Sequence, residues 1–215
     1  MNVDEMRREF TRAGLSEADA AADPIEQFSW WFQAACAARP GDWFEPNAMT
    51  LATAGPDGEP SARVMLLKGF DARGFTFFTN FKSEKGRQLA ANPRATMVFY
   101  WPMLERQVRI RGEITKLGRG ESEQYFHSRP RGSQIGAQAS HQSEIIASRA
   151  ELEQRVRQLE ARYDGREVEM PDCWGGYLLT PHTIEFWQGR VSRLHDRLRY
   201  RKSEGGQWVI ERLSP

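Results

Sequence analysis

Hydrophobic residues along the chain fall mainly in short runs that end at turn residues. The runs are rich in β-branched and aromatic residues, and Gly55-Pro56-Asp57-Gly58 and Asp71-Ala72-Arg73-Gly74 each follow one of them. This pattern predicts antiparallel strands joined by hairpins. The predicted strands are 48–54, 61–70, 75–79, 95–100, 106–117, 174–179, 183–188, 198–201 and 208–213. So many short strands favour a closed or partly open barrel, which leaves few strand edges exposed.

Three segments have helical periodicity instead. Asp23-Pro24 combines an N-cap residue with a proline at the first helical position. The apolar residues that follow share one helical face, namely Ile25, Phe28, Trp31, Phe32 and Ala35. A second helix is predicted from Ser83 to just before Pro93, and a third over 149–163. The chain therefore predicts a mainly β protein with antiparallel strands and flanking helices.

The first 22 residues differ from the rest of the chain because they are charged and rich in alanine. They include Arg7, Arg8 and Arg12. Chain ends of this kind are often poorly ordered, so residues 1–22 are predicted to form a mobile or surface segment. The remaining residues, 23–215, suit one domain with a sizeable core.

Composition excludes several classes of protein. The 215 residues are 40% hydrophobic and carry a formal net charge of +1, which argues against a general nucleic-acid binder. The two cysteines are far apart and the four histidines have no metal-ligand spacing, so no disulfide framework and no metal site are predicted. The N-terminus has no secretory pattern and no apolar run approaches the roughly 20 residues of a membrane span. A cytoplasmic protein without membrane contact is expected.

Cationic residues on or near predicted strands suggest anion binding. Arg63 and Lys68 are five residues apart, so they point to opposite faces of a regular strand. Lys85 lies in the first turn of the helix that begins at Ser83, where free backbone N–H groups and the helix dipole favour an anion. Arg63 could add a bidentate contact to a phosphate. The alternative, that each is an ordinary surface charge, stays open for each residue taken singly.

Two further groups contain cations. Tyr125 and Arg129 share a helical face if the helix persists to Pro130, and with Ser133 they could hold a second phosphate; ordinary cations near a helix C-terminus are the alternative. The other group follows Trp187 in the chain. In it, Arg193, His195 and Arg197 alternate with other residues, so in a strand all three would project to one side. Such groups repel one another unless an anion lies between them. These patterns predict anion sites but no particular reaction.

A resemblance to a known family indicates which reaction to expect. The chain resembles the pyridoxamine/pyridoxine 5'-phosphate oxidase family over nearly its whole length, with all the matching segments in order. These are Arg-Val-Met-Leu-Leu-Lys (63–68), Phe-Thr-Asn (78–80), Leu-Glu-Arg-Gln-Val (104–108), Tyr-Phe-His-Ser-Arg-Pro-Arg-Gly-Ser-Gln-Ile-Gly (125–136), His-Gln-Ser (141–143), Trp-Gly-Gly (174–176), Glu-Phe-Trp-Gln-Gly (185–189), Arg-Leu-His-Asp-Arg (193–197) and the C-terminal Arg-Leu-Ser-Pro.

The resemblance implies a split β-barrel homodimer that binds FMN at the subunit interface. It implies oxidation of pyridoxine or pyridoxamine 5'-phosphate by O2 to pyridoxal 5'-phosphate and hydrogen peroxide, with ammonia from the amine. Arg193 and His195 would be catalytic and, with Leu194, would face the substrate ring. The substrate phosphate would be held by Lys68, Tyr125, Arg129 and Ser133. FMN would contact Arg63, Val64, Met65, Leu66, Leu67, Lys68, Phe78, Thr79, Glu84, Lys85, Gln107, Gln142, Ser143, Trp187 and Arg197.

Three positions depart from the family pattern. Glu84 stands where an arginine is usual, so weaker FMN binding is predicted unless this carboxylate turns toward Arg87 or Lys82. Phe10 replaces a tyrosine in an N-terminal segment that could act as an active-site lid, and Glu45 replaces an aspartate.

Other functions are alternatives to this one. The alternatives are another split-barrel flavin oxidoreductase and a non-catalytic carrier of flavin or pyridoxal phosphate. Nucleic-acid binding through Arg106, Arg109 and Arg111 is disfavoured by the net charge.

Overall fold

The computed structural model describes residues 9–11 and 14–215. A single curled sheet runs through it in the order β2-β1-β5-β6-β7-β4-β3, and β8 pairs with both β7 and β9. Every pairing is antiparallel, which confirms the predicted mainly β architecture. The strands are β1 (Ala48–Ala54), β2 (Pro60–Leu66), β3 (Gly69–Asp71), β4 (Gly74–Asn80), β5 (Arg94–Trp101), β6 (Arg106–Lys116), β7 (Trp174–Gln188), β8 (Asp196–Lys202) and β9 (Trp208–Arg212).

Helix α1 (Pro24–Ala37) fills the inside of the curl. Asp23 caps it, because its side chain accepts a hydrogen bond from the backbone N–H of Ile25 at 2.7 Å. Phe28 is fully buried and lies edge-on to the rings of Phe70 and Phe75, each at 4.9 Å between centroids. Burying one such side chain contributes about 1.5–3 kcal/mol. The predicted apolar face of this helix is therefore the centre of the main core.

In the described part of the chain, four helices flank the sheet: α2 (Glu84–Ala91), α3 (Arg119–Ser128), α4 (Arg131–Ala139) and α5 (Arg149–Arg162). Ser83 caps α2, so this helix begins where the sequence predicted. Helix α4 was not predicted. The helices α3 and α4 and the start of β7 enclose a second, smaller core, which consists of Phe126, Ile135, Tyr163, Val168, Met170 and Trp174. This second core supports one wall of the site described below.

Three of the predicted strands are divided or joined differently in the structure. The run 61–70 divides into β2 and β3 because its ends pair with different strands, β1 and β4. The runs 174–179 and 183–188 join into β7, although Pro181 lies between them. A register shift opposite Gly112 accommodates the proline. Glycine is required at this point, since a Cβ on Gly112 would lie 2.2 Å from a backbone oxygen.

The N-terminal segment is only partly described. Residues 1–8 and 12–13, with Arg7, Arg8 and Arg12, lie outside the described residues. Leu15 and Ala21 are buried, and the Tyr200 hydroxyl donates to the Ala21 carbonyl oxygen at 2.7 Å. This part of the segment lies against the sheet, and its mobility stays a prediction. Within the residues described, no helix has both the length and the apolar character needed to cross a membrane.

Candidate active site

A cleft of about 470 Å³ opens between the sheet and the α3–α4 pair. Its walls come from the end of β2, from β4, from the α3–α4 connection and from the first residue of β7. The lining residues are Met65, Leu66, Lys68, Phe78, Thr79, Asn80, Tyr125, Arg129, Pro130, Ser133, Gln142 and Trp174. All four residues predicted to hold the substrate phosphate are among them. The cleft therefore brings together segments that are more than 100 residues apart in the chain.

A buried ammonium group lies beside the cleft. Lys85 is only 7% exposed, and its Nζ donates to Gln142 Oε1 at 3.0 Å, to Ser83 Oγ at 3.3 Å and to Thr79 Oγ1 at 3.4 Å. These acceptors are neutral, and no salt bridge to a carboxylate forms within the described residues. Burial, together with the charge of Arg63, lowers the pKa of Lys85. A buried cation without a carboxylate partner is suited to binding an anion.

Arg63 and Glu84 lie near this lysine. Arg63 donates to the hydroxyl oxygens of Thr53 and Ser61, both at 2.6 Å, and burial lowers its pKa. Glu84 accepts from the Ser61 hydroxyl at 2.9 Å and from the Gln88 amide at 3.3 Å. The carboxylate has thus turned toward Ser61, whereas the sequence suggested Arg87 or Lys82 as its partner.

Arg129 reaches the cleft by a route that the sequence did not predict. Helix α3 ends at Ser128, and Arg129 is extended (φ −78°, ψ 152°), so it does not continue the helical face of Tyr125. The proline that follows explains this, because a residue before proline is disfavoured in the helical region. The guanidinium lies 4.7 Å over the Trp174 ring, and its Nη1 is buried without a hydrogen-bond partner. Desolvation lowers its pKa.

Aromatic rings form the wall of the cleft next to Arg129. Tyr125 stacks on Phe78 at 3.9 Å, and Trp174 is nearly parallel to both rings. In the sequence, Trp174 belongs to a matching segment without a predicted role, and no local pattern indicates its contact with Arg129. The other residues that were predicted to contact FMN differ in how far they are buried. Val64 is 69% exposed and Ser143 is also exposed, whereas Leu67 is buried in the main core.

A second group of predicted residues lies on neighbouring strands. Gln107 of β6, Trp187 of β7 and Arg197 of β8 are directly opposite one another in the sheet register. Arg197 donates through Nε and Nη2 to Glu185 Oε1, at 2.9 and 2.8 Å. We call Gln107, Trp187, His195 and Arg197 the Trp187 cluster. Glu185 lies two residues before Trp187 and on the same face of the strand. The sequence did not predict a role for this residue.

The prediction that Arg193, His195 and Arg197 share one strand face is wrong. Residues Val191–Arg193 form a 3-10 turn, and β8 begins only at Asp196. Ser192 and Arg193 both have positive φ, 55° and 61°, so the chain bends where alternation predicted an extended run. Leu194 is 69% exposed and Arg193 is also exposed.

His195 is held by its surroundings in one orientation. Its Nδ1 accepts a hydrogen bond from the backbone N–H of Arg190 at 3.1 Å, and its ring lies 4.6 Å from that of Trp187. Phe10 lies edge-on to both rings, at 5.6 Å from each. Burial and the charge of Arg193 lower the pKa of His195. The described part of the N-terminal segment therefore covers this histidine.

The cleft and the Trp187 cluster lie at opposite ends of β7. Trp174 begins this strand and Trp187 is its next-to-last residue, thirteen positions further on. A fully extended strand of that length spans about 40 Å. No member of the Trp187 cluster lines the cleft among the residues described. Within one chain, the predicted site residues thus form two separate groups. No group of three His, Cys, Asp or Glu side chains in the described part of the chain could hold a metal ion.

The curled antiparallel sheet and its basic cleft define a split-barrel protein. The same fold occurs in a pyridoxamine 5'-phosphate oxidase-related, FMN binding protein from Nostoc punctiforme, with a TM-score of 0.61, 20% identity, and coverage of 79% of this chain and 87% of that one. Residues 42–163 match the model of the family described as pyridoxamine 5'-phosphate oxidase. Residues 174–215 match the pyridoxine 5'-phosphate oxidase C-terminal dimerisation region. The chain belongs to the pyridoxine/pyridoxamine 5'-phosphate oxidase family.

Comparison with individual proteins leads to the same family. The chain is 58% identical to a pyridoxine/pyridoxamine 5'-phosphate oxidase of Pseudomonas paraeruginosa, over 98% of this chain and 97% of the relative. It is 54% identical to the protein of the same name from Bordetella petrii over the full length of both. It is also similar to PhzG from Burkholderia lata, solved in complex with tetrahydrophenazine-1-carboxylic acid. That similarity has a TM-score of 0.88 and 33% identity, over 97% of this chain and all of PhzG.

Proposed function

We propose that the protein oxidises pyridoxine 5'-phosphate or pyridoxamine 5'-phosphate with O2. The products are pyridoxal 5'-phosphate and hydrogen peroxide, with ammonia from the amine substrate. The observation that carries this proposal is the buried, unpartnered Nη1 of Arg129 in a cleft that Lys68, Tyr125 and Ser133 also line. A buried cationic donor without an acceptor is unfavourable in the free protein and suits a phosphate ligand. The proposed location is the cytoplasm, because phosphate esters are charged and do not cross membranes freely.

The residues next to the cleft fit FMN as the cofactor. Lys85, with its neutral partners Thr79 and Gln142, would face the FMN phosphate, and Arg63 would add a second cation. Met65, Leu66 and Phe78 offer apolar surface to the flavin ring. When bound, FMN supplies the acceptor for the hydride that leaves the substrate C4' carbon.

The chain's own residues bind and orient the substrate. Lys68, Tyr125, Arg129 and Ser133 would hold its phosphate, which lies away from the reacting carbon and so positions that carbon without taking part in the reaction. Arg193 and His195 are the proposed catalytic residues, with Leu194 beside them at the substrate ring. Trp174 keeps Arg129 in place by a cation–π contact, which adds about 0.5–2 kcal/mol.

The separation of the two groups supports a homodimer in which each site is shared. The cleft of one subunit would be completed by the Trp187 cluster and Arg193 of the other. Trp187, Arg193, His195 and Arg197 all lie in the region that matches a dimerisation domain. FMN would then contact both subunits, with Gln107, Trp187 and Arg197 on one side and the cleft residues on the other. This arrangement makes the proposed single domain, residues 23–215, inactive as an isolated subunit.

The most direct test is a visible spectrum taken without oxygen. The purified protein, saturated with FMN, is mixed anaerobically with pyridoxine 5'-phosphate and, in a separate run, with pyridoxamine 5'-phosphate. Loss of the flavin absorbance is expected, followed by its return and by hydrogen peroxide when air is admitted. Tetrahydrophenazine-1-carboxylic acid is run in parallel. A flavin that keeps its absorbance with both phosphates would exclude the proposed reaction and favour a carrier. Turnover of the phenazine compound alone would favour a different oxidase.

Subunit mixing tests whether each site is shared. Arg129→Met damages only the cleft and Arg193→Ala only the partner's contribution, and each homodimer is expected to lose most of its kcat/KM. In a mixed dimer, one site carries both lesions and the other carries neither. Co-expression should therefore restore about a quarter of the wild-type activity, because half of the dimers are mixed and each has one intact site. Activity that stays at the level of the separate variants would contradict a shared site, and an unchanged Arg193→Ala would remove that residue from catalysis.

A further inference from the structure

The hydrogen bond between Arg190 and His195 determines which nitrogen of the histidine carries the proton. A backbone N–H can only donate, so Nδ1 of His195, 3.1 Å away, must accept with its lone pair. A neutral imidazole has one N–H group, which is then on Nε2. We infer that the Arg190 backbone holds His195 as its neutral Nε2–H tautomer, and that His195 serves its substrate as a hydrogen-bond donor and not as a base. This role rests on the proposed function.

The surroundings of His195 oppose its protonation. An imidazolium would carry a hydrogen on Nδ1 that points at the Arg190 N–H, and the hydrogen bond would be lost. Arg193 is the nearby cation, and it lowers the pKa of His195 together with burial. Asp196 is the nearby anion, but it pairs with the side chains of Arg190 at 3.6 Å and Arg212 at 2.8 Å. Phe10 and Trp187 pack against the ring without charge.

This form of the histidine limits what it can do in the reaction. Nδ1 is occupied by the backbone, so Nε2–H is the ring group left for a ligand. A protonated nitrogen cannot take up the proton that the C4' substituent releases. It can donate a hydrogen bond to an oxygen of the pyridoxine ring and so fix the orientation of that ring. His195 is therefore a binding and orienting group, and proton removal belongs to another group.

Nuclear magnetic resonance tests the tautomer without any turnover. Protein labelled with 15N in histidine is examined at pH 7.5 with FMN bound and no substrate, and the spectrum of His195→Gln identifies the His195 signal among the four histidines. A protonated Nε2 and an unprotonated Nδ1 are expected. Arg190→Ala is the control, because it removes the side chain and keeps the backbone N–H, so the same tautomer should persist. A protonated Nδ1, in either the other tautomer or the imidazolium, would overturn the inference.

Substitution tests the role. The Nε2 amide of His195→Gln can replace the histidine donor and does not titrate, so kcat/KM should stay within about fivefold of wild type, whereas His195→Ala should lose about 10- to 100-fold. Protonation of His195 keeps the Nε2–H donor, so the fall of kcat/KM at low pH should be the same in wild type and in His195→Gln, whereas a base would add a limb that only the wild type shows. If the glutamine variant is as slow as the alanine variant, the donor role is wrong. A wild-type protein that oxidises neither phosphate would refute the proposed function and leave the tautomer measurement intact.

Discussion

Replacing Arg129 by methionine should separate stability from substrate binding. The guanidinium stacks over Trp174, and its buried Nη1 has no partner. In the protein without substrate, loss of the stacking contact should lower the free energy of unfolding by about 1 kcal/mol. Removal of a buried donor that has no partner should raise it by about 1–3 kcal/mol. The free energy of unfolding of the FMN-bound variant, without substrate, should therefore be unchanged or raised by up to about 2 kcal/mol.

The same change should weaken substrate binding strongly. Charge-assisted hydrogen bonds to a phosphate contribute about 1.5–3 kcal/mol each. A total loss of about 2–4 kcal/mol corresponds to a rise in KM of roughly 30- to 700-fold. Steady-state production of hydrogen peroxide at varied pyridoxine 5'-phosphate gives KM and kcat, and denaturant unfolding gives the stability.

Arg131→Met is the matched control for this experiment. Arg131 lies two residues further on and donates to the backbone oxygens of Tyr163 and Arg166. Its loss should lower the free energy of unfolding by about 1–2 kcal/mol and leave KM unchanged. The reasoning would be refuted if Arg129→Met destabilised the protein by more than about 2 kcal/mol, or if its KM stayed within twofold of wild type.

Three other substitutions have expected outcomes. Glu84→Arg should lower the Kd for FMN about two- to tenfold, because a carboxylate near the proposed phosphate site becomes a cation; fluorescence titration of the apoprotein measures this, and an equal Kd would contradict it. Glu185→Ala should lower stability by about 1–3 kcal/mol in urea unfolding, more than Glu185→Gln does, since Arg197 loses its carboxylate partner. Gly112→Ala should destabilise by about 1–3 kcal/mol because the new Cβ would meet a backbone oxygen, whereas Gly136→Ala, which meets nothing within 4 Å, should not.

The parts of the fold that the sequence predicted best have several local signals that agree. Helix α1 has an N-cap, a proline at the first helical position and an apolar face, and all three indicate the same start. Strand β7 was predicted as two pieces because Pro181 normally ends a strand. The residue that allows it to continue is Gly112, on another strand, so no local pattern could reveal the exception.

The site was harder to predict because its contacts depend on register and on backbone bends. Alternation placed Arg193 and His195 on a strand, and no glycine signalled the positive φ of Ser192 and Arg193. The departure of Arg129 from its helix was foreseeable, since a proline follows it. By contrast, the contact between Trp174 and Arg129 joins residues 45 positions apart, which only the folded chain brings together.

The length of β7 has a consequence for how activity responds to dilution. With the cleft at one end of this strand and Trp187 near the other, a lone subunit of the proposed homodimer would hold half of each of two sites. Turnover per subunit should then follow the fraction of chains that are paired. At protein concentrations below the dissociation constant of the dimer, turnover should decrease although every chain remains folded. A ligand that touches both halves binds only the paired state and shifts the equilibrium toward it. Saturation with FMN should therefore protect the dimer at concentrations where the apoprotein separates into single subunits.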